Sequence, residues 1–285
     1  MPNKFLQITS VMRLDNPSGY LLVFFPATYG LLLSSTNLQD LYLIPTLFLG
    51  SIFARSAGCV VNDIFDRNLD SRVARTKDRP IASGAMKTTE ALLLVCFLLS
   101  LCLIILLSMT FTSILVGMIA FLMIVAYPLM KRLTYFPQMF LGGTFNLGVL
   151  IAYAAIDDHI SFEAMMLYIG CCFWTIGYDT IYAFMDIKDD KKIGIKSTAI
   201  FFEKGLYKPF IAICYVSFIT LFINTILSAG NYTFTIVSAL FSLTILLWQV
   251  YTLNINDIKN CLQRFNSNQL VGLILFLGML MDRLI

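Results

Sequence analysis

The chain has 285 residues, 58% of them hydrophobic and only 13% charged, with a formal net charge of +3. Residues 91–130 and 209–256 contain no Asp, Glu, Lys or Arg at all. A bilayer span needs about 20 apolar residues, so the composition excludes a soluble domain and describes a polytopic membrane protein.

In chain order, the apolar runs predict spans at 17–35, 41–61, 89–108, 111–130, 137–156, 163–185, 207–227, 232–253 and 267–284. Ser108-Met109-Thr110 and Ser228-Ala229-Gly230-Asn231 divide the two longest runs. Lipid offers the backbone no hydrogen-bond partners, and these segments are too long and unbroken for barrel strands. The expectation is an all-α bundle of nine transmembrane helices forming one domain over 1–285. It consists of two four-helix pseudo-repeats plus one helix. The first fifteen residues lack an apolar core and a small-residue cleavage site, so no signal peptide is expected.

Charge sets the orientation. Of the 20 Lys and Arg residues, 18 fall on one side, at the N-terminus and in or directly beside the loops after spans 2, 4, 6 and 8. The positive-inside rule therefore puts the N-terminus in the cytoplasm, or in the matrix of a mitochondrion, and the C-terminus outside. With no Arg- and Ser-rich transit segment in view, the expected location is a bacterial inner membrane. The seven cysteines lack zinc-type spacing and read as apolar filler without disulfides. His159, the only histidine, lies in an outside loop, far from any acid cluster, which argues against a histidine base or ligand.

The stretch GCVVNDIFDRNLDSRVARTKDRP, residues 58–80, breaks the apolar pattern. Asp63, Asp66 and Asp70 stand at i, i+3 and i+7 and share one face of a continued helix. Asp179, Asp186 and Asp190 repeat this at i, i+7 and i+11, four spans later and at the same membrane surface; Asp189 points away. Two unit charges 4 Å apart repel by roughly 4 kcal/mol at an effective dielectric near 20. Such faces need something positive between them, and Mg²⁺ is often shared by one or two carboxylates and a substrate phosphate. Asn62 adds an amide ligand or orients an acid. Arg67, Arg72, Arg75, Lys77 and Arg79 follow the first group, Lys191, Lys192 and Lys196 the second, and Lys131 and Arg132 end span 4. Arginine forks match phosphate oxygens; positive-inside bias and anionic lipid account for about half of these cations. The two groups together describe a site for a metal-bridged diphosphate at a membrane surface. A cation-coupled transporter and a non-catalytic scaffold are the readings from other classes.

The sequence resembles the UbiA superfamily of intramembrane aromatic prenyltransferases, and within it the branch acting on 4-hydroxybenzoate. Asn62–Asp70 fits the family's NDxxDxxxD motif, and Asp186–Asp190 its second, DxxxD motif. The flanks RLDNPSGY (13–20), RSAGCVVND (55–63), RTKDRPIASG (75–84), YPLMKRLTYFPQ (127–138), GYDTIYAFMD (177–186) and KIGIKSTA (192–199) are similar to that branch in order and spacing. The resemblance implies that Asp66, Asp70, Asp186 and Asp190, with Asn62 nearby, hold Mg²⁺ and the diphosphate of a polyprenyl donor. It associates Arg132 with substrate binding and carries over Arg55, Asp63, Lys131 and Asp179 as substrate-binding positions. It implies a membrane step of ubiquinone biosynthesis, with no nucleic acid and no obligatory protein partner.

The implied chemistry is ionisation of an allylic diphosphate, attack by the ring carbon ortho to the hydroxyl, and loss of a proton. That needs a dry pocket with π faces near the cation, for which Phe65, Tyr127, Tyr178 and Tyr182 are candidates. The acceptor's carboxylate needs a cation, and Arg132, Arg13 or Arg55 can serve. A charge two turns inside a helix costs roughly 2.5–3.5 kcal/mol, so Arg55 should find a partner in the cavity. Gly142, Gly143 and Gly148 allow either close helix approach or room for an isoprenoid tail. A sister enzyme with another aromatic acceptor is the nearer alternative.

Overall fold

The computed structural model describes residues 4–35, 37–73, 75–230 and 232–285. Helices account for all the regular structure among them: α1 (Lys4–Val11), α2 (Pro17–Ser34), α3 (Leu43–Asp70), α4 (Thr88–Leu107), α5 (Phe111–Leu133), α6 (Pro137–Asp157) and α7 (Phe162–Ala183), then α8 (Ile187–Ile193), α9 (Thr198–Phe202), α10 (Tyr207–Ala229), α11 (Thr233–Tyr251), α12 (Ile258–Asn266) and α13 (Asn268–Leu284).

Local chemistry starts and stops them. Asn16 caps α2 through the amide of Ser18, with Pro17 at the first helical position; both satisfy or avoid the orphan donors of a first turn. Thr110 and Ser161 cap α5 and α7 in the same way. The polar breaks at 108–110 and 228–231 separate α4 from α5 and α10 from α11, as expected, although Asn231 lies outside the described residues.

Nine of these helices fall where nine spans were expected, yet only seven described ones are long and apolar enough to cross a bilayer. The exceptions have physical causes. Helix α7 carries Glu163 and Asp179 within its 22 residues, and α13 is only 17 residues long. The second expected span also proves too short. Helix α3 runs on through the acids to Asp70, which places Asp63, Asp66 and Asp70 on one continuous face.

The helices pack as a ring closed by α13 on α2, with α2 also pressed against α6 near the centre. Gly30 allows that contact, because a Cβ there would run into the carbonyl of Val149. Gly142 serves α6 against α7, where a Cβ would sit 2.9 Å from the Cys172 carbonyl oxygen. Both meet backbone and so explain close helix approach. The faces of α4 and α5 are largely exposed, in keeping with lipid contact. Between them, α2, α3, α4, α5, α6 and α7 enclose a cavity of about 800 Å³.

Candidate active site

One face of α3 lines this cavity from Thr46 to Asp70, a stripe about 36 Å long at the helical rise of 1.5 Å per residue. Its deeper, N-terminal part is mostly small residues, and Gly50 and Gly58 have nothing closer than 3.9 Å to a Cβ built on them. Its part nearer the mouth is Asn62, Asp63, Asp66 and Asp70. Across the cavity stand Asp179 on α7, Asp186 and Asp190. The topology thus brings both acidic motifs to one space, although they are separated by more than 100 residues.

The second acidic face is not one helix. Helix α7 ends at Ala183, and Asp186 becomes the residue that precedes α8. The same-face expectation at i, i+7 and i+11 therefore fails for Asp179, Asp186 and Asp190. Turn residues 184–186 re-aim the chain, so Asp186 and Asp190 reach the mouth while Asp179 stays deep beside Arg55.

Ion pairs organise the mouth. Arg13 donates to both oxygens of Asp63 at 2.9 and 3.1 Å, and Arg79 bridges Asp63 at 3.1 Å and Asp70 at 2.8 Å. Arg13 and Asp63, both expected to bind substrate, pair with each other here and tie the N-terminal segment to α3. Arg75 reaches from the α3–α4 loop to Asp186, with Nε 2.7 Å from one carboxylate oxygen and Nη2 on the other. Its Nη1 donates to the Tyr182 hydroxyl at 3.2 Å. Burial works against its charge, but the bonds to Asp186 outweigh it and hold the Arg75 guanidinium more firmly protonated than usual.

Lys131, in the last turn of α5, pairs with Asp66. The other oxygen of Asp66 is buried and has no hydrogen bond; Arg132 stands 3.7 Å away. The Asp66 side chain is 1% exposed, so this is a buried acceptor whose hydrogen-bonding capacity is unused. Asp190 has no ion pair among the described residues. Burial and the adjacent Asp186 carboxylate push its carboxyl up to about 7, against the pull of Lys131 and Arg75. No three His, Cys, Asp or Glu side chains among the described residues come together as a set for one ion. The donors are nevertheless all hard oxygens, with one buried oxygen unsatisfied, and they fit a divalent cation completed by phosphate oxygens.

Arg55 lies deeper, along the same face of α3. Its Nη1 donates to the Cys59 sulfur at 2.6 Å, its guanidinium lies over the Phe145 ring at 5.3 Å, and its buried Nε has no partner. Tyr127, Tyr178 and Tyr182 line the cavity with it. Phe65 does not. One residue before Asp66, it is turned about 100° away by the helical period, is exposed, and only its carbonyl is used, accepting from Arg132 at 3.1 Å. Arg132 itself faces a separate small cleft with Phe65 and Asn68 and is 47% exposed. Two participants escaped sequence reasoning. Phe145 comes from another helix 90 residues on, with no local signal. Arg79 was one of five cations in and after the first acidic group, and nothing in the sequence singled out its two acidic partners.

Fold and site together define a multi-pass membrane protein whose charged cavity opens at its basic surface and continues into an apolar groove. A family profile described as the UbiA prenyltransferase family matches residues 23–278, and the chain belongs to that family. A mitochondrial 4-hydroxybenzoate polyprenyltransferase of Bos taurus is 38% identical over 278 residues, covering 96% of this chain and 74% of its own. A 4-hydroxybenzoate octaprenyltransferase of Vesicomyosocius okutanii subsp. Calyptogena okutanii (strain HA) is 38% identical over 272 residues, covering 95% and 99%. The apo structure of a UbiA homolog from Aeropyrum pernix K1 superposes with a TM-score of 0.79 at 24% identity, covering 92% of this chain and 97% of that one. A UbiA homolog from Archaeoglobus fulgidus bound to GPP and Mg²⁺ gives a TM-score of 0.72 at 16% identity, covering 98% and 100%. Membership of a prenyltransferase family makes the chain an enzyme and sets aside the transporter and scaffold readings.

Proposed function

We propose that the chain transfers a polyprenyl group from polyprenyl diphosphate to the ring carbon ortho to the hydroxyl of 4-hydroxybenzoate, releasing diphosphate, as a membrane step of ubiquinone biosynthesis. One observation carries this reading. Two acidic motifs face one cavity beside cations, and a separate, incompletely bonded arginine lies farther in. The names of the relatives at 38% identity support the acceptor, and the GPP- and Mg²⁺-bound homolog supports the donor and the metal.

Asp66, Asp70, Asp186 and Asp190, with Asn62 nearby, are the residues to hold Mg²⁺, which when bound supplies positive charge against the diphosphate. Lys131 and Arg75 give the leaving group cationic donors as negative charge develops on it. Arg55 offers its free Nε to the acceptor carboxylate, and Asp179 behind it fixes the guanidinium electrostatically. The allylic C–O bond breaks, the ring carbon forms the new C–C bond, and the ring proton is lost. Tyr127, Tyr178 and Tyr182 present π faces near the carbocation and help to exclude water, which would capture it. Gly50, Ser51, Ala54 and Gly58 leave a groove along α3 for the apolar tail. The site faces the basic side of the membrane: the cytoplasm in a bacterial inner membrane, or the matrix in a mitochondrion.

The test uses membranes containing this chain, a polyprenyl diphosphate and radiolabelled 4-hydroxybenzoate, with Mg²⁺ or EDTA. Label passing into the organic phase only with Mg²⁺ supports both donor and acceptor assignments. Transfer to a different aromatic alone moves the acceptor; no transfer to any acceptor by folded protein ends the reading.

A further inference from the structure

Six carboxyl and six cationic side chains line the cavity, so its formal charges balance before any ligand enters. Three of the four carboxylates assigned to the metal are already paired: Asp66 with Lys131, Asp70 with Arg79 and Asp186 with Arg75. For a bare divalent cation to draw on all four, an ammonium or guanidinium must give way and lose its counter-ion in a poorly solvated space, which is costly. A diphosphate removes that cost, because its oxygens accept the displaced cations.

The pairs are not equivalent. Arg79 is bonded to two acids at once, as a structural clamp is. Lys131 and Arg75 each hold one acid from the cavity rim, on separate elements. The Lys131 pair leaves a buried oxygen of Asp66 unsatisfied, a poor arrangement if the pair served the fold alone. Resting on the metal assignment above, we propose that Lys131 and Arg75 are exchangeable counter-ions. They occupy the metal-binding carboxylates of the ligand-free protein and move to phosphate oxygens when the donor enters. The divalent cation then binds tightly only together with a diphosphate, and the diphosphate only together with the cation.

Mn²⁺ titrated into the full chain in lipid nanodiscs, with free Mn²⁺ read by electron paramagnetic resonance, tests this without any acceptor or turnover. Geranyl diphosphate should tighten Mn²⁺ binding about 10-fold or more, within the usual range of coupling between two ligands, and Mn²⁺ should tighten geranyl diphosphate by the same factor. Lys131→Met and Arg75→Gln should each bind bare Mn²⁺ more tightly than the unaltered chain and show a smaller enhancement. Two variants on separate elements keep the test decidable if one misfolds, which thermal unfolding reveals. Equal Mn²⁺ affinity with and without geranyl diphosphate, or folded variants that bind bare Mn²⁺ no better, overturns the exchange. No Mn²⁺ binding under any condition removes the metal assignment as well, whereas an altered acceptor in the transfer assay touches neither result.

Discussion

Lys131 and Asp66 lie 65 residues apart, on α5 and α3, and form an ion pair that satisfies one oxygen of a buried carboxylate and leaves the other without a hydrogen bond. The pair joins the first acidic motif to the basic end of another helix at the cavity mouth. Asp66→Asn keeps the shape of the side chain and removes the charge. Turnover should fall by about 100-fold or more, the scale of losing a preorganised electrostatic group. Prenyl transfer by purified protein, beside a cooperative thermal unfolding profile that shows the variant is folded, measures it.

Asp63 should behave differently. It is as buried as Asp66 but is held by both Arg13 and Arg79. Breaking a buried pair by removing one partner typically costs about 3–5 kcal/mol. Asp63→Asn should therefore lower the unfolding temperature and the yield of folded protein well beyond Asp66→Asn, and a variant that matches Asp66→Asn in stability would contradict the clamp.

Arg55 is expected to act on the acceptor alone. A hydrogen bond to a charged group contributes about 1.5–3 kcal/mol, which is roughly a 10- to 150-fold change. Arg55→Met should raise the KM for 4-hydroxybenzoate by that order and leave geranyl diphosphate binding intact. A loss confined to the donor would reassign this arginine.

Asp190 gives the metal site a pH dependence. Its carboxyl titrates near 7 in the ligand-free protein, and a cation must compete with that proton. Below pH 7 the proton is bound and metal affinity is weak; affinity rises through pH 7 and levels off above it. Mn²⁺ binding in the presence of geranyl diphosphate, compared at pH 6 and pH 8, should show tighter binding at pH 8. Asp190→Asn should flatten the difference.

Gly142 tests the packing that frames the cavity. A side chain there meets the Cys172 carbonyl, and overpacking a fitted interface typically costs about 1–3 kcal/mol. Gly142→Val should lower thermal stability measurably, while Gly50→Val, facing open space, should alter tail use more than stability.

Sequence alone determined much of this protein. Apolar runs, polar breaks and the one-sided distribution of lysine and arginine follow from the bilayer's demand for satisfied backbones and from the positive-inside rule, both of which act locally along the chain. The i, i+3, i+7 spacing of Asp63, Asp66 and Asp70 likewise determined their common face, because one unbroken helix carries them. Only the tertiary structure decided which acids are clamped and which have a bare oxygen, since the partners come from α5, from the α3–α4 loop and from the N-terminal segment. It also turned Arg132 and Phe65 away from the cavity, broke the second acidic face at residues 184–186, and laid Arg55 over Phe145. Residue type and spacing record what a helix can present to its surroundings. Which neighbour meets that face depends on how α2, α3, α5, α6 and α7 pack, and close packing depends on every helix at once.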